Sequence, residues 1–370
     1  MTPTAARRGP GALGAVLLIA AAAAAAAFPA APSGALEKVR VLIPVRTIDE
    51  AFSPFVVARA KGYYAEEGYD VSLLGVSGSN EVAIQVSAGN AEIGTASPGE
   101  AVVGIQSGQL AIRYFYDLYY ANIWSVVVVP DSPITTLADL KGRRIGVQSL
   151  GSAGVTFGRA FAAAAGLNPG TDIAFLPIGI GAQAVTSIDR RMVDAAVYWD
   201  AALAKMEFSG LRFRTVPAPE HLRTLPDVGL LARPDTIENN PRLVTGIARA
   251  VAKGYDYSMA NPEAAVLLTW KFNPAAKSRN PDPAAAVHEG VVVNQGRLAI
   301  WNSPRTGDRH GAFITEDWER LLQFLVDEKV MPAKPPVDKV ITNAFIDAIN
   351  AYDRAAVIAE ARAEDVSKLK

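Results

Sequence analysis

The region from Val39 to Ala96 alternates between two hydrophobic patterns, and this alternation restricts the fold more than any other feature of the chain. Strand-like runs at residues 39–43 and 69–74 are separated by helix-like segments that end at glycines such as Gly62. Glycine is favoured there because it adopts the left-handed conformation found after a helix C-terminus. Strands that alternate with helices form sheets covered by helices. The sequence therefore predicts an α/β protein.

The same patterns continue along the chain. Proline follows serine at Ser53 and at Ser97, which marks helix starts, and Ser97 and Glu100 have the spacing of a capping box. Strands are predicted at residues 91–96, 124–129, 144–148, 173–176 and 228–232, with a further one ending at Trp199. The prolines at 130 and 133 indicate a crossing to a second group of strands, and the strand at 228–232 indicates the return. A helix is predicted at residues 241–260.

The amino terminus has the pattern of a secretory signal peptide. Arg7 and Arg8 precede an alanine-dominated apolar run at residues 11–27, and small residues near Ala27 and Ala35 offer cleavage sites. The alternative is a membrane anchor, although the run is short for a span of about 20 residues. The chain has no cysteine, which excludes a lipid-anchored lipoprotein and any disulfide. We expect residues 1–35 to be a signal peptide and the mature protein to be periplasmic.

The net charge of −1 at pH 7 argues against a nucleic-acid partner, which would require a basic patch. Half of the residues are hydrophobic, enough for large cores. The three histidines, His221, His288 and His310, have no metal-binding spacing and are expected on the surface or in loops. No motif for a nucleophilic serine is present. We therefore expect no catalytic residues, no metal and no cofactor.

Four segments carry a resemblance to a known family. They are K-G-Y-Y-A-E-E-G-Y-D-V at 61–71, S-A-G-N-A-E-I-G at 87–94, D-L-K-G-R-R-I-G-V at 139–147 and V-D-A-A-V-Y-W-D at 193–200. The chain resembles, over roughly residues 39–260, the substrate-binding proteins of nitrate, sulfonate, taurine and thiamine-pyrimidine ABC importers. It departs from their pattern at Ala201, where a proline is expected.

The resemblance implies a periplasmic binding protein of type II. Two lobes, each with a mainly parallel sheet flanked by helices, would be joined by two crossovers, with lobe I at 36–130 plus 229–370 and lobe II at 131–228. It further implies a monomeric, non-enzymatic receptor that binds a small molecule and delivers it to an ABC permease in the inner membrane. The alternative is a protein that binds or synthesises the thiamine-pyrimidine precursor on the same fold, although the cysteine-rich iron motif of the fungal enzymes is absent.

Ligands of α/β proteins gather at the carboxyl ends of strands, where helix N-termini present backbone N–H groups. Five loops have that position: 46–53, 77–80, 97–99, 149–154 and 198–200. The predicted ligand-binding residues are Asp49, Phe52, Ser53, Ser77, Gly78, Ser79, Ser97, Pro98, Tyr119, Ser149, Ser152, Ala153, Trp199 and Asp200.

Several of these residues have a purely structural alternative. Ser97 and Glu100 would cap one helix, Ser152 would be an ordinary N-cap, and Trp199 would be a core residue. Arg46 would pair either with an anionic ligand or with Asp49. The ligand is expected to be an organic anion, such as a sulfonate or an aromatic carboxylate, or a heterocycle.

Overall fold

The computed structural model describes residues 1–2 and 35–370, so the predicted signal peptide lies almost entirely outside the described residues. The strands are β1 Glu37–Ile43, β2 Tyr69–Gly75, β3 Ile93–Ala96, β4 Arg113–Asp117, β5 Trp124–Val128, β6 Arg143–Val147, β7 Ile173–Pro177, β8 Ala195–Trp199, β9 Arg214–Thr215 and β10 Gly229–Ala232. Short 3-10 turns lie at Glu50–Phe52, Leu137–Leu140, Pro274–Ala276, Pro304–Thr306 and Val366–Lys368.

Helices cover much of the remaining chain. They are α1 Ser53–Ala60, α2 Tyr63–Glu66, α3 Ser79–Ser87, α4 Pro98–Gln106, α5 Ala153–Ala164, α6 Ala182–Asp189, α7 Asp200–Phe208, α8 Glu220–Arg223, α9 Pro234–Asn239, α10 Pro241–Ala260, α11 Pro262–Phe272, α12 Pro283–Leu298, α13 Thr315–Asp327, α14 Val337–Val340, α15 Ile346–Ile349 and α16 Arg354–Ala363. Within the described part of the chain, no helix is long and apolar enough to cross a membrane.

The strands form two five-stranded sheets, in the orders β2-β1-β3-β10-β4 and β7-β6-β8-β5-β9. The predicted α/β architecture with two sheets flanked by helices is confirmed. Each sheet is mixed: four of its five strands share one direction, and one strand runs against them. β10 runs antiparallel to both of its neighbours in the first sheet, and β5 does so in the second. Each of these two strands follows directly on a strand of the other sheet. It therefore begins where the other strands of its own sheet end, and it runs in the opposite direction.

The first change of sheet lies earlier than the sequence predicts. β5 pairs with β8 and β9, so the chain passes between the sheets at residues 118–123, before the prolines at 130 and 133. These prolines lie instead in a turn after β5, inside the second group of strands. The return falls between β9 and β10, where it is expected. The lobe boundaries themselves stay a prediction.

Local signals in the sequence explain why the first sheet forms. Val39, Val41 and Ile43 of β1 and Val71 and Leu73 of β2 are buried. The β1–β2 ladder is parallel and aligns Val39 with Val71 and Val41 with Leu73. α1 contacts β2 and packs against α10, and the loops that follow the parallel strands all reach the same edge.

Candidate functional site

All five predicted loops contribute to one cavity between the two sheets. The space between the lining residues is ≈ 360 Å³, including the open solvent at its mouth. Its lining consists of Pro44, Val45, Phe52, Gly78, Ser79, Ser97, Tyr119, Ile123, Trp124, Gln148, Ser152, Ala153, Trp199, Val228 and Arg297. The predicted residues that line it are Phe52, Gly78, Ser79, Ser97, Tyr119, Ser152, Ala153 and Trp199.

Two of the predicted residues form contacts inside the protein, away from the cavity. Ser53, at the start of α1, is fully buried; it accepts a hydrogen bond from Asn294 Nδ2 at 2.5 Å and its hydroxyl lies 3.3 Å from the Ser258 hydroxyl. Asp49 accepts a hydrogen bond from the Ala51 N–H at 3.1 Å and lies 3.0 Å from Lys205 Nζ. Both residues fix the loop that leads to Phe52, and neither is free to meet a ligand.

Ser77 and Ser149 join the two sheets at the edge of the cavity. The Ser149 hydroxyl donates to the Ser77 carbonyl at 2.9 Å, so these two predicted residues contact each other. Gly78 lies against the same loop: it has φ +142°, and a Cβ built on it would lie 2.7 Å from the Gly151 carbonyl oxygen. A glycine is therefore required for this close approach.

The predicted capping box at Ser97 is wrong. The Ser97 side chain makes no capping hydrogen bond to α4, and Glu100 accepts a hydrogen bond from the Thr156 hydroxyl of α5. The Ser97 N–H donates instead to the Ser79 hydroxyl at 3.0 Å. Pro98 is buried as the first residue of α4 and does not line the cavity. Glu100 thus links the two groups of helices, and burial raises the pKa of its carboxyl group.

Arg297 is the charged residue of the cavity wall, and the sequence analysis missed it. It comes from the end of α12, and its side chain is 1% exposed. Its Nε donates to Asp200 Oδ2 at 3.2 Å and its Nη2 to Asp200 Oδ1, while its guanidinium carbon lies 4.6 Å from the centre of the Tyr119 ring. Burial lowers the pKa of Arg297, but Asp200 and Tyr119 together outweigh burial and the pKa is raised. Asp200, which the sequence predicts as a ligand-binding residue, therefore influences the cavity by holding Arg297 in place.

Arg46, the basic residue that the sequence placed near the ligand, is exposed and does not line the cavity. The signal that identifies Arg297 is an apolar stretch at residues 291–301, V-V-V-N-Q-G-R-L-A-I-W. Asn294 and Arg297 share one face of the helix at a spacing of three residues, and both are buried. A polar pair on an apolar helix face points to internal partners.

Aromatic rings make up much of the cavity wall. Trp124 and Trp199 both line it and are nearly buried, with ring centres 5.6 Å apart in an edge-on arrangement. Trp124 also stacks on Phe157 at 5.9 Å. Trp199 thus packs in the core and also faces the cavity, and its contact with a ligand stays a prediction. Ser152 is similar: it lines the cavity, and it caps α5 by accepting from the Gly154 N–H at 3.0 Å.

Three polar groups around the cavity have no hydrogen-bond partner of normal geometry among the described residues. They are the Tyr119 hydroxyl, the Trp124 indole N–H and both carboxylate oxygens of Asp227. Asp227 is fully buried, and burial raises the pKa of its carboxyl group to about 7 against the opposing effects of the Ser97 hydroxyl and the Arg297 charge. Burial likewise raises the pKa of Tyr119 to about 12. Unpartnered buried polar groups next to a cavity indicate a ligand site.

Buried carboxyl groups give a pH dependence that can be measured. Burial raises the pKa values of Glu100, Asp117 and Asp227, so the folded protein holds these protons where the unfolded chain releases them. Stability should therefore fall as pH rises from about 4 through about 7. We expect the melting temperature at pH 8 to lie about 5 °C or more below that at pH 5. Asp117→Asn should flatten the slope, and an equal or higher melting temperature at pH 8 would contradict the prediction.

Among the described residues, no group of three or more histidines, aspartates or glutamates is placed to hold a metal ion. Of the two locations expected for His310, surface or loop, it has the second: it lies in a turn but is buried. His310 is 1% exposed, and its Nε2 lies 3.0 Å from Asp256 Oδ1, next to Tyr352 and Arg354. This group ties the C-terminal helices to α10 and lies apart from the cavity.

Comparisons with known proteins place the fold and the family. The chain is 26% identical over 302 residues to the riboflavin-binding protein RibY of Chloroflexus aurantiacus, covering 80% of this chain and 82% of that protein. The alkanesulfonate-binding protein SsuA from Xanthomonas axonopodis pv. citri, bound to MOPS, has a TM-score of 0.63 at 15% identity and covers 84% of this chain and 99% of its own.

The periplasmic nitrate-binding protein NrtA from Synechocystis PCC 6803 has a TM-score of 0.60 at 14% identity and covers 90% of this chain and 91% of its own. These two likenesses establish a shared fold, that of the periplasmic binding proteins. A family model described as NMT1/THI5 like matches residues 49–265, which is more than half of the chain. The resemblance predicted from the sequence is thus confirmed, and the chain belongs to the NMT1/THI5-like family.

Proposed function

We propose that the protein is a receptor that traps a small organic molecule between two α/β lobes and delivers it to an ABC importer. One observation carries the proposal: loops from the carboxyl ends of both sheets enclose a single cavity lined with aromatic rings and unpartnered polar groups. The proposed lobes meet at the crossings at 118–123 and near Val228. Two neighbours in fold are described as binding proteins, one for alkanesulfonates and one for nitrate.

Polar contacts between elements of the two sheets suit a hinge mechanism. Lys205 of α7 reaches Glu50 at 2.5 Å, Glu100 of α4 pairs with Thr156 of α5, and the Ser149 hydroxyl donates to the Ser77 carbonyl. All three contacts break if the sheets separate. A ligand that touches both sides would add to them and shift the equilibrium towards the closed form, whose surface a permease would recognise.

The proposal also covers the location and assembly of the protein. We propose that residues 1–35 are a cleaved signal peptide and that the mature protein is a periplasmic monomer. One fold neighbour supports the location, since NrtA is described as a periplasmic nitrate-binding protein. The protein would bind its ligand without turnover, and formation of a product from a bound thiamine-pyrimidine precursor would favour the enzymatic alternative.

A thermal-shift screen tests the receptor function. The purified protein would be heated with sulfonates, aromatic carboxylates, nitrate, pyrimidines and riboflavin, the last because of the relative RibY. A compound present at one hundred times its Kd should stabilise the native state by about 2.7 kcal/mol and raise the melting temperature by several degrees. Trp199→Phe, which keeps most of the packing against Trp124, should reduce that shift. If no compound moves the melting temperature, the receptor function is wrong.

A further inference from the structure

The charge of the cavity is already balanced without a ligand. Arg297 is the charged side chain among the described lining residues, and both Nε and Nη2 of its guanidinium are engaged by Asp200. An anion that entered would have to compete with this carboxylate for the same cation. The cavity therefore offers no spare positive charge from a side chain of the described wall.

Three N–H groups at helix starts around the cavity also have partners within the protein. The Gly154 N–H is taken by the Ser152 hydroxyl at 3.0 Å, and the Ser97 N–H by the Ser79 hydroxyl at 3.0 Å. The Ala201 N–H is taken by Asp200 Oδ1 at 2.7 Å. Helix starts bind anions through unsatisfied N–H groups, and these three groups are already bonded.

Asp227 adds a negative charge behind the wall. Its carboxylate is fully buried and lies among three lining residues, namely Ser97, Ile123 and Trp124. Neither oxygen has a hydrogen-bond partner of normal geometry, and no cation is paired with it among the described salt bridges. When Asp227 is ionised, a bound anion would be repelled in a partly buried site where screening by water is weak.

The groups that remain available suit an uncharged ligand. The Tyr119 hydroxyl lies beside Arg297 and the Trp124 indole N–H beside Asp227, but neither makes a hydrogen bond of normal geometry. Both are donors on lining residues, while Phe52 and Trp199 offer aromatic surface. A flat ring with carbonyl or ring-nitrogen acceptors on its edge would pair with these donors and pack on the rings.

We propose that the cavity binds an uncharged, flat ring compound with hydrogen-bond acceptors on its edge and discriminates against sulfonates, carboxylates and nitrate. This inference rests on the proposed receptor function. It separates the protein in specificity from fold neighbours that are described as binding alkanesulfonates and nitrate.

Matched pairs of compounds test the inference by isothermal titration calorimetry at pH 8. Each pair shares one ring system: uracil and orotate, benzamide and benzoate, nicotinamide and nicotinate, riboflavin and its 5′-phosphate. Taurine and nitrate complete the set. We expect the uncharged member to bind at least about tenfold more tightly, since an uncompensated like charge in a partly buried site costs about that much.

Asp227→Asn isolates the charge behind the wall. The ratio of anion to neutral affinity within a pair should rise about tenfold in this variant. Asp235→Asn, which changes an exposed carboxylate paired with Arg233, should leave the ratio unchanged. An unchanged ratio in a folded Asp227→Asn variant would remove Asp227 from the inference and overturn its electrostatic basis.

A second measurement needs no variant. Below about pH 7 Asp227 takes up a proton. In the wild type, the ratio of anion to neutral affinity should therefore rise as the pH is lowered from 8 to 6. The groups that face Asp227 are Asp117, Tyr114, Tyr119 and Arg297, and Asp117 titrates in the same direction. A ratio that stays constant counts against the inference.

The outcomes separate the two proposals. Tighter binding of the anionic members, or of taurine or nitrate, would overturn this inference and leave the receptor function intact. Binding of no member of any pair would overturn the receptor function, and this inference with it.

Discussion

Replacing Arg297 with methionine should lower the affinity for the tightest compound of the screen by about 10- to 100-fold. The change removes a side chain that lines the cavity and its hydrogen bonds to Asp200, and hydrogen bonds to charged groups contribute about 1.5–3 kcal/mol each. It thereby breaks the contact between α12 and the first residue of α7, which fixes the position of this part of the cavity wall. Asp200 and Asp227 would then be left without the cation that faces them.

The fold should survive the Arg297→Met change. The Asp200 side chain is 38% exposed, so water can solvate its carboxylate when the guanidinium is lost, and the methionine stem refills most of the space. Arg279→Met, at an exposed position away from the cavity, is the matched control and should bind like the wild type. Calorimetry measures both variants. Wild-type affinity in a folded Arg297→Met protein would exclude Arg297 from the site.

Much of the first sheet follows from local signals. The runs at 39–43 and 69–74 become β1 and β2, and the helix predicted at 241–260 is α10 with the same bounds. The glycines that end the predicted helices, Gly62 and Gly89, have φ values of +78° and +76°. Such features depend on residues close together in the sequence, which is why periodicity and glycine placement predict them.

The contacts between the two sheets could not be predicted in this way. Ser97 and Glu100 have the spacing of a capping box, but Glu100 finds Thr156, which lies 56 residues further along the chain. The partner of a buried carboxyl group depends on how helices from different sheets approach each other. Local spacing therefore predicted the wrong partner for a residue that bridges the sheets.

The cavity, too, has features that local sequence patterns predict and features that depend on residues far apart in the sequence. Loops after strands could be placed from the pattern because strand ends meet at one edge, and all five contribute lining residues. Arg297 lies 97 residues from Asp200 and belongs to a helix that follows no strand of either sheet. A helical arginine has no sequence signature that separates a surface position from a cavity wall, except the buried face that it shares with Asn294.

Gly254→Ala should be the most destabilising small change in the protein. Gly254 lies on α10 where that helix crosses α1, and a Cβ built on it would lie 2.0 Å from the Pro54 carbonyl oxygen and 2.8 Å from the Pro54 carbonyl carbon. Both are backbone atoms at the start of a packed helix and cannot rotate away. The two helices would have to separate. We expect a loss of about 3 kcal/mol or more in the free energy of unfolding, and a fall in melting temperature of about 5–10 °C.

Gly296→Ala provides the comparison that isolates this steric effect. Gly296 is also helical, within α12, but it is exposed and a Cβ there would meet nothing within 4 Å. That change should be neutral or should stabilise by about 0.5–1 kcal/mol, because alanine favours the helix. Thermal and urea unfolding of the two variants measures the difference. Because α1 begins directly after Phe52, which lines the cavity, separation of α10 from α1 in Gly254→Ala should also weaken ligand binding. A Gly254→Ala protein as stable as Gly296→Ala would show that α1 and α10 are not held at this distance.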